Sequence, residues 1–114
     1  MKLVLKENAV MHKNTLNSVS AEYEMGDKDI NIAVVEINGR YPDKGWVKNT
    51  VCKELIYIVD GSGVLTINDK EVLLKSGDAI LIEPNEKYFF EGNLKVVPAC
   101  YPAWSIQQVE IIED

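Results

Sequence analysis

Histidine and arginine are nearly missing from this 114-residue sequence: His12 and Arg40 are the only examples of each. A single histidine excludes a metal centre built from several imidazoles. His12 also lies far upstream of the motifs described below and reads as a surface or capping residue. Positive charge is sparse, with 12 Lys and Arg against 18 Asp and Glu and a formal net charge of −6. Nucleic acids and anionic membranes are met by clustered cations. No such cluster exists here, so neither is expected as a partner. There are only two cysteines, Cys52 and Cys100. That is too few for a disulfide scaffold, and their spacing is not that of a zinc site. They are expected to be buried free thiols. No run approaches the roughly 18 apolar residues of a membrane-spanning helix. The apolar stretch within residues 1–10 is too short for a secretory signal. A soluble, cytoplasmic protein is expected.

What the sequence does contain is a dense series of short β-type runs separated by turn residues. Residues 30–37 (INIAVVEI) end at Asn38-Gly39, and residues 54–59 (ELIYIV) end at Asp60-Gly61. Residues 63–67 and 71–74 flank Asn68-Asp69, a pair suited to a two-residue hairpin turn. Residues 79–82 follow Gly77-Asp78, and residues 87–91 end at Gly92. Residues 94–97 and 108–112 complete the set. Such a series, with no linker or repeat, predicts one all-β domain over residues 1–114, a sandwich or barrel. The run ELIYIV is apolar at successive positions, which predicts a strand covered on both faces. An N-terminal segment or a second subunit could supply the outer cover, hence an expected homodimer. In the first 29 residues, 1–5 suggest a strand, and 14–25 read as irregular with about one helical turn.

Two stretches carry a family resemblance. Residues 39–63 read GRYPDKGWVKNTVCKELIYIVDGSG and residues 77–88 read GDAILIEPNEKY. In order and spacing they resemble the two motifs of the cupin superfamily. Glu54 and Gly61 match the second half of the first motif; Gly77, Asp78 and Pro84 match the second. The segment PAWS, residues 102–105, is similar to the tail of many small single-domain, RmlC-like cupins. The resemblance runs from near Ile30 to the end and implies a double-stranded β-helix, the jelly-roll barrel. GSG at residues 61–63 is no phosphate loop, because neither Lys-Ser/Thr nor a helix-forming run follows it.

The resemblance also implies four metal-ligand positions, and here they hold Val47, Asn49, Glu54 and Tyr88. Only the glutamate keeps the family's residue. Valine has no donor atom, and an amide and a phenol cannot compete for iron, copper, zinc or nickel. Cys52 could point inward toward Glu54, but two residues make a poor site. No metal and no other cofactor is expected. Strand alternation puts Glu54, Ile56 and Ile58 on one face. A pocket holding Asn49, Glu54 and Tyr88 would suit a small polar or sugar-like ligand. Arg40, with a planar fork for carboxylates, and Trp46 and Trp104, as platforms for rings, are further candidate contacts. Burial would raise the pKa of Glu54 and make it, with Tyr88, a candidate acid/base pair. The expected function is a metal-independent small-molecule-binding module. The alternatives are a cofactor-free isomerase, epimerase or lyase, and a structural dimer with a vestigial pocket. In the last case Glu54 would pair with Lys48, Lys53 or Arg40, Tyr88 would be a core aromatic and Asn49 would close a turn.

Overall fold

The computed structural model describes residues 1–113. It contains nine strands: β1 (Val10–Thr15), β2 (Ser18–Tyr23), β3 (Asn31–Tyr41), β4 (Trp46–Asn49), β5 (Lys53–Ile67), β6 (Lys70–Lys75), β7 (Ala79–Ile82), β8 (Tyr88–Tyr101) and β9 (Val109–Ile112). All pairings are antiparallel and join into one curled sheet. Three-residue 3-10 turns at Lys6–Asn8 and Ile106–Gln108 are the helical elements among the described residues. The all-β jelly-roll expectation holds. Asn68 and Asp69 form the β5–β6 turn with φ of 53° and 60°, the left-handed pair that a two-residue hairpin requires.

The long strands β5 and β8 form the spine. They pair along their whole length, from Lys53↔Tyr101 to Ile67↔Tyr88. β7 covers the far edge of the first part of β5 and β6 that of the second. On the other side β8 carries β3 and, at Tyr88, β4. β5 buries Glu54, Ile56 and Ile58, then Leu65 and Ile67. Even positions face inward first and odd positions afterwards. A strand with a strict two-residue period cannot do this. The switch is made by a bulge, because Ile58 pairs with Val96 while Asp60 pairs with Lys95. Val59 is the extra residue, and the bulge bends the strand from one layer into the other.

The glycines near this bend are not the strand ends that their residue type suggests. β3 runs through Gly39, β5 through Gly61 and Gly63, and β8 through Gly92. Gly39 pairs with Gly92, and Gly92 with Gly63, so three adjacent strands place glycine in one row. At Gly92, φ is +138°, and an added Cβ would lie 2.6 Å from both the Gly63 Cα and the Ser62 carbonyl oxygen. The strands approach too closely there for a side chain.

Other expectations need correction. Residues 14–25 are not irregular: they lie largely in the β1–β2 hairpin, and β2 pairs with β3 from Ser18↔Ile37 to Tyr23↔Ile32. Residues 1–5 are not a strand. Nor does the chain cover ELIYIV on both faces. Ile56 and Ile58 are buried, whereas Leu55 and Tyr57 are 53% and 50% exposed. The N-terminal hairpin extends the β3 edge instead of covering β5.

Two glycine substitutions separate close approach from backbone strain. Gly77 has φ of +93° with nothing within 4 Å of an added Cβ, so Gly77→Ala should cost only the ~1–2 kcal/mol of left-handed strain. Gly92→Ala adds a backbone collision and should cost ~3–4 kcal/mol. Urea unfolding of both variants measures the difference, and equal losses would contradict the close-approach account.

Candidate functional site

The inward face of the spine opens into a cavity of about 120 Å³. Glu54 enters from β5, where it lies opposite Cys100 of β8 and Ile82 of β7. Tyr88 starts β8, flanked by Val47 of β4 and Ile67 of β5. Asn49 ends β4 and is fixed by pairing with Val109 of β9. Its backbone oxygen also accepts a hydrogen bond from the Asn85 N–H at 2.7 Å. Gln108 pins the adjoining loop. Its side-chain oxygen accepts from the Cys52 N–H at 2.8 Å, and its backbone oxygen accepts from the Thr50 N–H, also at 2.8 Å. The cavity's polar groups therefore sit on strands and a tied loop.

The Glu54 carboxyl is the centre of the site. Its Oε1 accepts hydrogen bonds from Tyr88 Oη at 2.9 Å and Asn49 Nδ2 at 3.3 Å. The Cys100 thiol points at Oε2 from 3.9 Å. Trp104 Nε1 donates to Asn49 Oδ1 at 3.1 Å, which fixes the amide with its NH₂ toward Glu54. All these donors are neutral. Burial pushes the Glu54 pKa up, against the opposing pull of the Tyr88, Cys100 and Asn49 hydrogen bonds. Burial also raises Tyr88, with help from the Glu54 charge. Tyr41, on the same cavity wall, is raised to about 12 by burial and by Glu54. The neighbouring Cys52, burial and the Glu54 charge hold the Cys100 thiol high. The result is one carboxyl of elevated proton affinity beside phenols and a thiol that keep their protons, an arrangement suited to accepting and returning a proton.

The four ligand positions implied by the resemblance do not fit a transition metal. Val47 offers no donor, the Asn49 oxygen is engaged by Trp104, and the Tyr88 phenol is spent on Glu54. Of the candidate contacts, Asn49, Glu54, Tyr88 and Trp104 line one cavity. Arg40 does not. Its guanidinium donates to the Pro42 and Gly45 carbonyl oxygens at 2.8 Å each and lies over the Phe89 ring at 4.1 Å. Trp46 packs edge-on against Phe89 at 4.8 Å, outside the lining. Glu54 does not pair with Lys48, Lys53 or Arg40, and Lys53 stands 4.0 Å from Glu83 instead. Cys100, not Cys52, is the thiol that meets Glu54. Sequence reasoning missed Tyr41 and Cys100, and also Asn14, Ser20, Glu22 and Glu24, which line the cavity from the N-terminal hairpin and the residue after it. Alternation along β8 from Tyr88 would have found Cys100. Asn14 and Ser20 hydrogen-bond each other, but their polar strands gave no apolar period to read.

Glu54 links protonation to stability. Its folded pKa lies above the ordinary glutamate value of 4.5, so between the two values the folded state binds the extra proton. Stability from this group is full below about 4.5 and is lost as pH rises through the folded value. Glu54→Gln cannot lose it. The stability of wild type relative to Glu54→Gln should therefore be greater at pH 4.5 than at pH 8, as read by urea unfolding. A difference independent of pH would contradict the raised pKa.

Comparison with known proteins agrees with this geometry. Residues 34–101 match the model of the family described as Cupin domain. An uncharacterized protein of Methanocaldococcus jannaschii is 34% identical over 70 residues, 58% of this chain; the match covers 56% of that relative's length. The nucleoside dehydratase Pac13 of Streptomyces superposes with a TM-score of 0.88 at 19% identity, over 99% of this chain and 92% of its own. The polyketide cyclase RemF of Streptomyces resistomycificus gives 0.76 at 16% identity, over 98% and 85%. An RmlC-like cupin of Shewanella frigidimarina gives 0.73 at 12% identity, over 88% and 89%. These likenesses establish the jelly-roll fold, and the match over more than half of its length places the chain in the cupin family.

Proposed function

We propose that this protein binds a small polar, hydroxyl-bearing molecule in the barrel cavity without a transition metal. The observation that carries this reading is the Glu54 carboxyl, buried on the cavity wall and held by neutral donors where the family pattern would place a metal ligand. Apolar walls with a few convergent polar groups suit such a ligand. Glu54, Asn49, Tyr88 and Trp104 are its contacts. The two unpaired buried cysteines favour a reducing, cytoplasmic setting.

One contact favours a second reading, a cofactor-free isomerase, epimerase or lyase. Tyr88 Oη stands 2.9 Å from Glu54 Oε1. Glu54 would take a proton from carbon and return it to another carbon or to a leaving hydroxyl. Tyr88 would turn its O–H to the oxygen on which charge develops. A nucleoside dehydratase and a polyketide cyclase on this fold support such chemistry, although one fold hosts many activities.

We also propose a homodimer through the outer face of β7, β5, β8 and β3. Leu81, Leu55, Ala99 and Ile32 form one cross-strand row, with Ala79, Tyr57 and Val97 beside it. With Val59 and Tyr101, 44% and 60% exposed, it makes an apolar face of the kind that marks an interaction surface. A second copy brings the same apolar rows to the same place, as a two-fold interface requires.

Thermal shift with sugars, sugar acids, small carboxylates and nucleosides tests the site. A ligand at a hundred times its Kd adds about 2.7 kcal/mol, which raises the melting temperature by ~10 °C in a domain of this size. Stabilisation that survives in Glu54→Gln, without turnover, is expected of the binding module. Solvent deuterium entering a bound substrate with wild type but not with Glu54→Gln would establish the enzyme. No stabilisation by any class would leave a structural dimer with a vestigial pocket. For the dimer, sedimentation at micromolar concentration should give about twice the chain mass, and Leu55→Asp with Tyr57→Asp should give a folded monomer. A wild-type monomer would refute it.

A further inference from the structure

The cavity has walls of one electrical sign. Glu22, Glu24 and Glu54 line it, and among the described residues no lysine or arginine does. Glu22 lies on β2 and Glu24 just past its end, and both line the cavity. With His12 they present polar atoms within 4.8 Å of one another. The His12 imidazole stands 3.6 Å from Glu22 at a half-exposed position. Three of the cations are engaged outside the cavity. Arg40 is tied to the Pro42 and Gly45 carbonyl oxygens, Lys53 faces Glu83, and Lys87 lies over the Trp46 ring at 4.8 Å. The lining also carries the apolar side chains of Ile56, Phe90 and Val96. A low-dielectric wall between like charges concentrates their field.

On the ligand-binding reading above, we infer that this cavity selects neutral or cationic hydroxyl-bearing molecules and rejects the carboxylate and phosphate forms of the same skeleton. An anion entering would pass Glu22 and Glu24 and lose water near Glu54, with no lysine or arginine in the lining to receive it. A hydroxyl or an amine meets acceptors that match its donors. Selection comes from repulsion at the mouth as much as from attraction within.

Trp104 supplies a reporter, because its indole N–H donates to Asn49 beside Glu54. In a proton–nitrogen correlation spectrum the chain gives two indole signals, and Trp46→Phe leaves that of Trp104. Two probe series, a hexose and a ribonucleoside, are each titrated as neutral, amino, carboxylate and phosphate forms. Titrations run at pH 8 with a chelator present, so that no metal held at His12, Glu22 and Glu24 intervenes. The neutral or amino form should shift the Trp104 signal at concentrations at least about tenfold lower than either anionic form. In the Glu22→Gln, Glu24→Gln double variant that gap should narrow by threefold or more. An anionic form that binds as tightly as the neutral one overturns the inference and leaves the ligand-binding reading intact. So does a gap that the double variant does not change. If no member of either series moves the Trp104 signal, the binding reading fails and the selection fails with it.

Discussion

The ladder between β5 and β8 is the constraint from which the site follows. It joins Lys53 to Tyr101 at one end and Ile67 to Tyr88 at the other. Two antiparallel strands of that length twist too strongly to stay in one layer, and here the crossing is made by a bulge and a row of glycines. The bulge at Val59 reverses which parity of β5 faces inward. Without it, either Glu54 and Ile56 or Leu65 and Ile67 would face solvent. The same register puts Glu54 directly across from Cys100 and leaves Tyr88 free to reach down to the carboxyl from the far end. Site and core are therefore set by one pairing, and a slip of a single residue would lose both.

Burying a carboxyl in such a barrel is costly unless its oxygens are hydrogen-bonded. A lysine or arginine would hold it ionised, lower its pKa and fill the cavity. Here the partners are a phenol, an amide and a thiol. They stabilise the carboxylate only in part, so burial prevails and proton affinity rises. Trp104 completes the arrangement one step out. By donating to Asn49 Oδ1 it leaves the amide only its NH₂ to offer Glu54. Trp104 is itself held by reciprocal hydrogen bonds with Asn31 at 3.0 and 3.1 Å. The orientation of Asn49 thus depends on β3, the strand that carries the N-terminal hairpin.

The spine was readable because its strands are apolar and its turns are chemically specific. Asn68-Asp69 could be little other than a tight hairpin, and Glu54 with Gly77, Asp78 and Pro84 marked the barrel. The β1–β2 hairpin was not readable, for a physical reason. Its inward residues are polar, with Asn14, Ser20 and Glu22 on the cavity and Ser18 buried beside Asn14, so the alternation that reveals a strand has no apolar member. Glycine misled in the opposite sense. A Gly in a strand usually marks an end, yet Gly39, Gly63 and Gly92 lie opposite one another in strands that continue, a relation visible only after pairing. Arg40 looked like a ligand fork because it is the only arginine. Its planar group instead bridges two carbonyl oxygens and stacks on Phe89, tying down the loop between β3 and β4.

The replacements at the ligand positions belong to one another. Val47 extends the apolar wall and is itself buried against the core, which removes the room and the polarity a metal's water would need. Tyr88 and Asn49 turn their donors onto Glu54, so the carboxyl is satisfied by hydrogen bonds. Any one of these changes alone would leave a defect: an unpaired carboxylate, a buried amide without a partner, or an imidazole pair with no ion. Among the described residues no buried side-chain nitrogen or oxygen lacks a hydrogen bond. Stability alone demands this, because a partly satisfied buried network is costly. The set around Glu54 is closed, each side chain answering another's hydrogen-bonding demand.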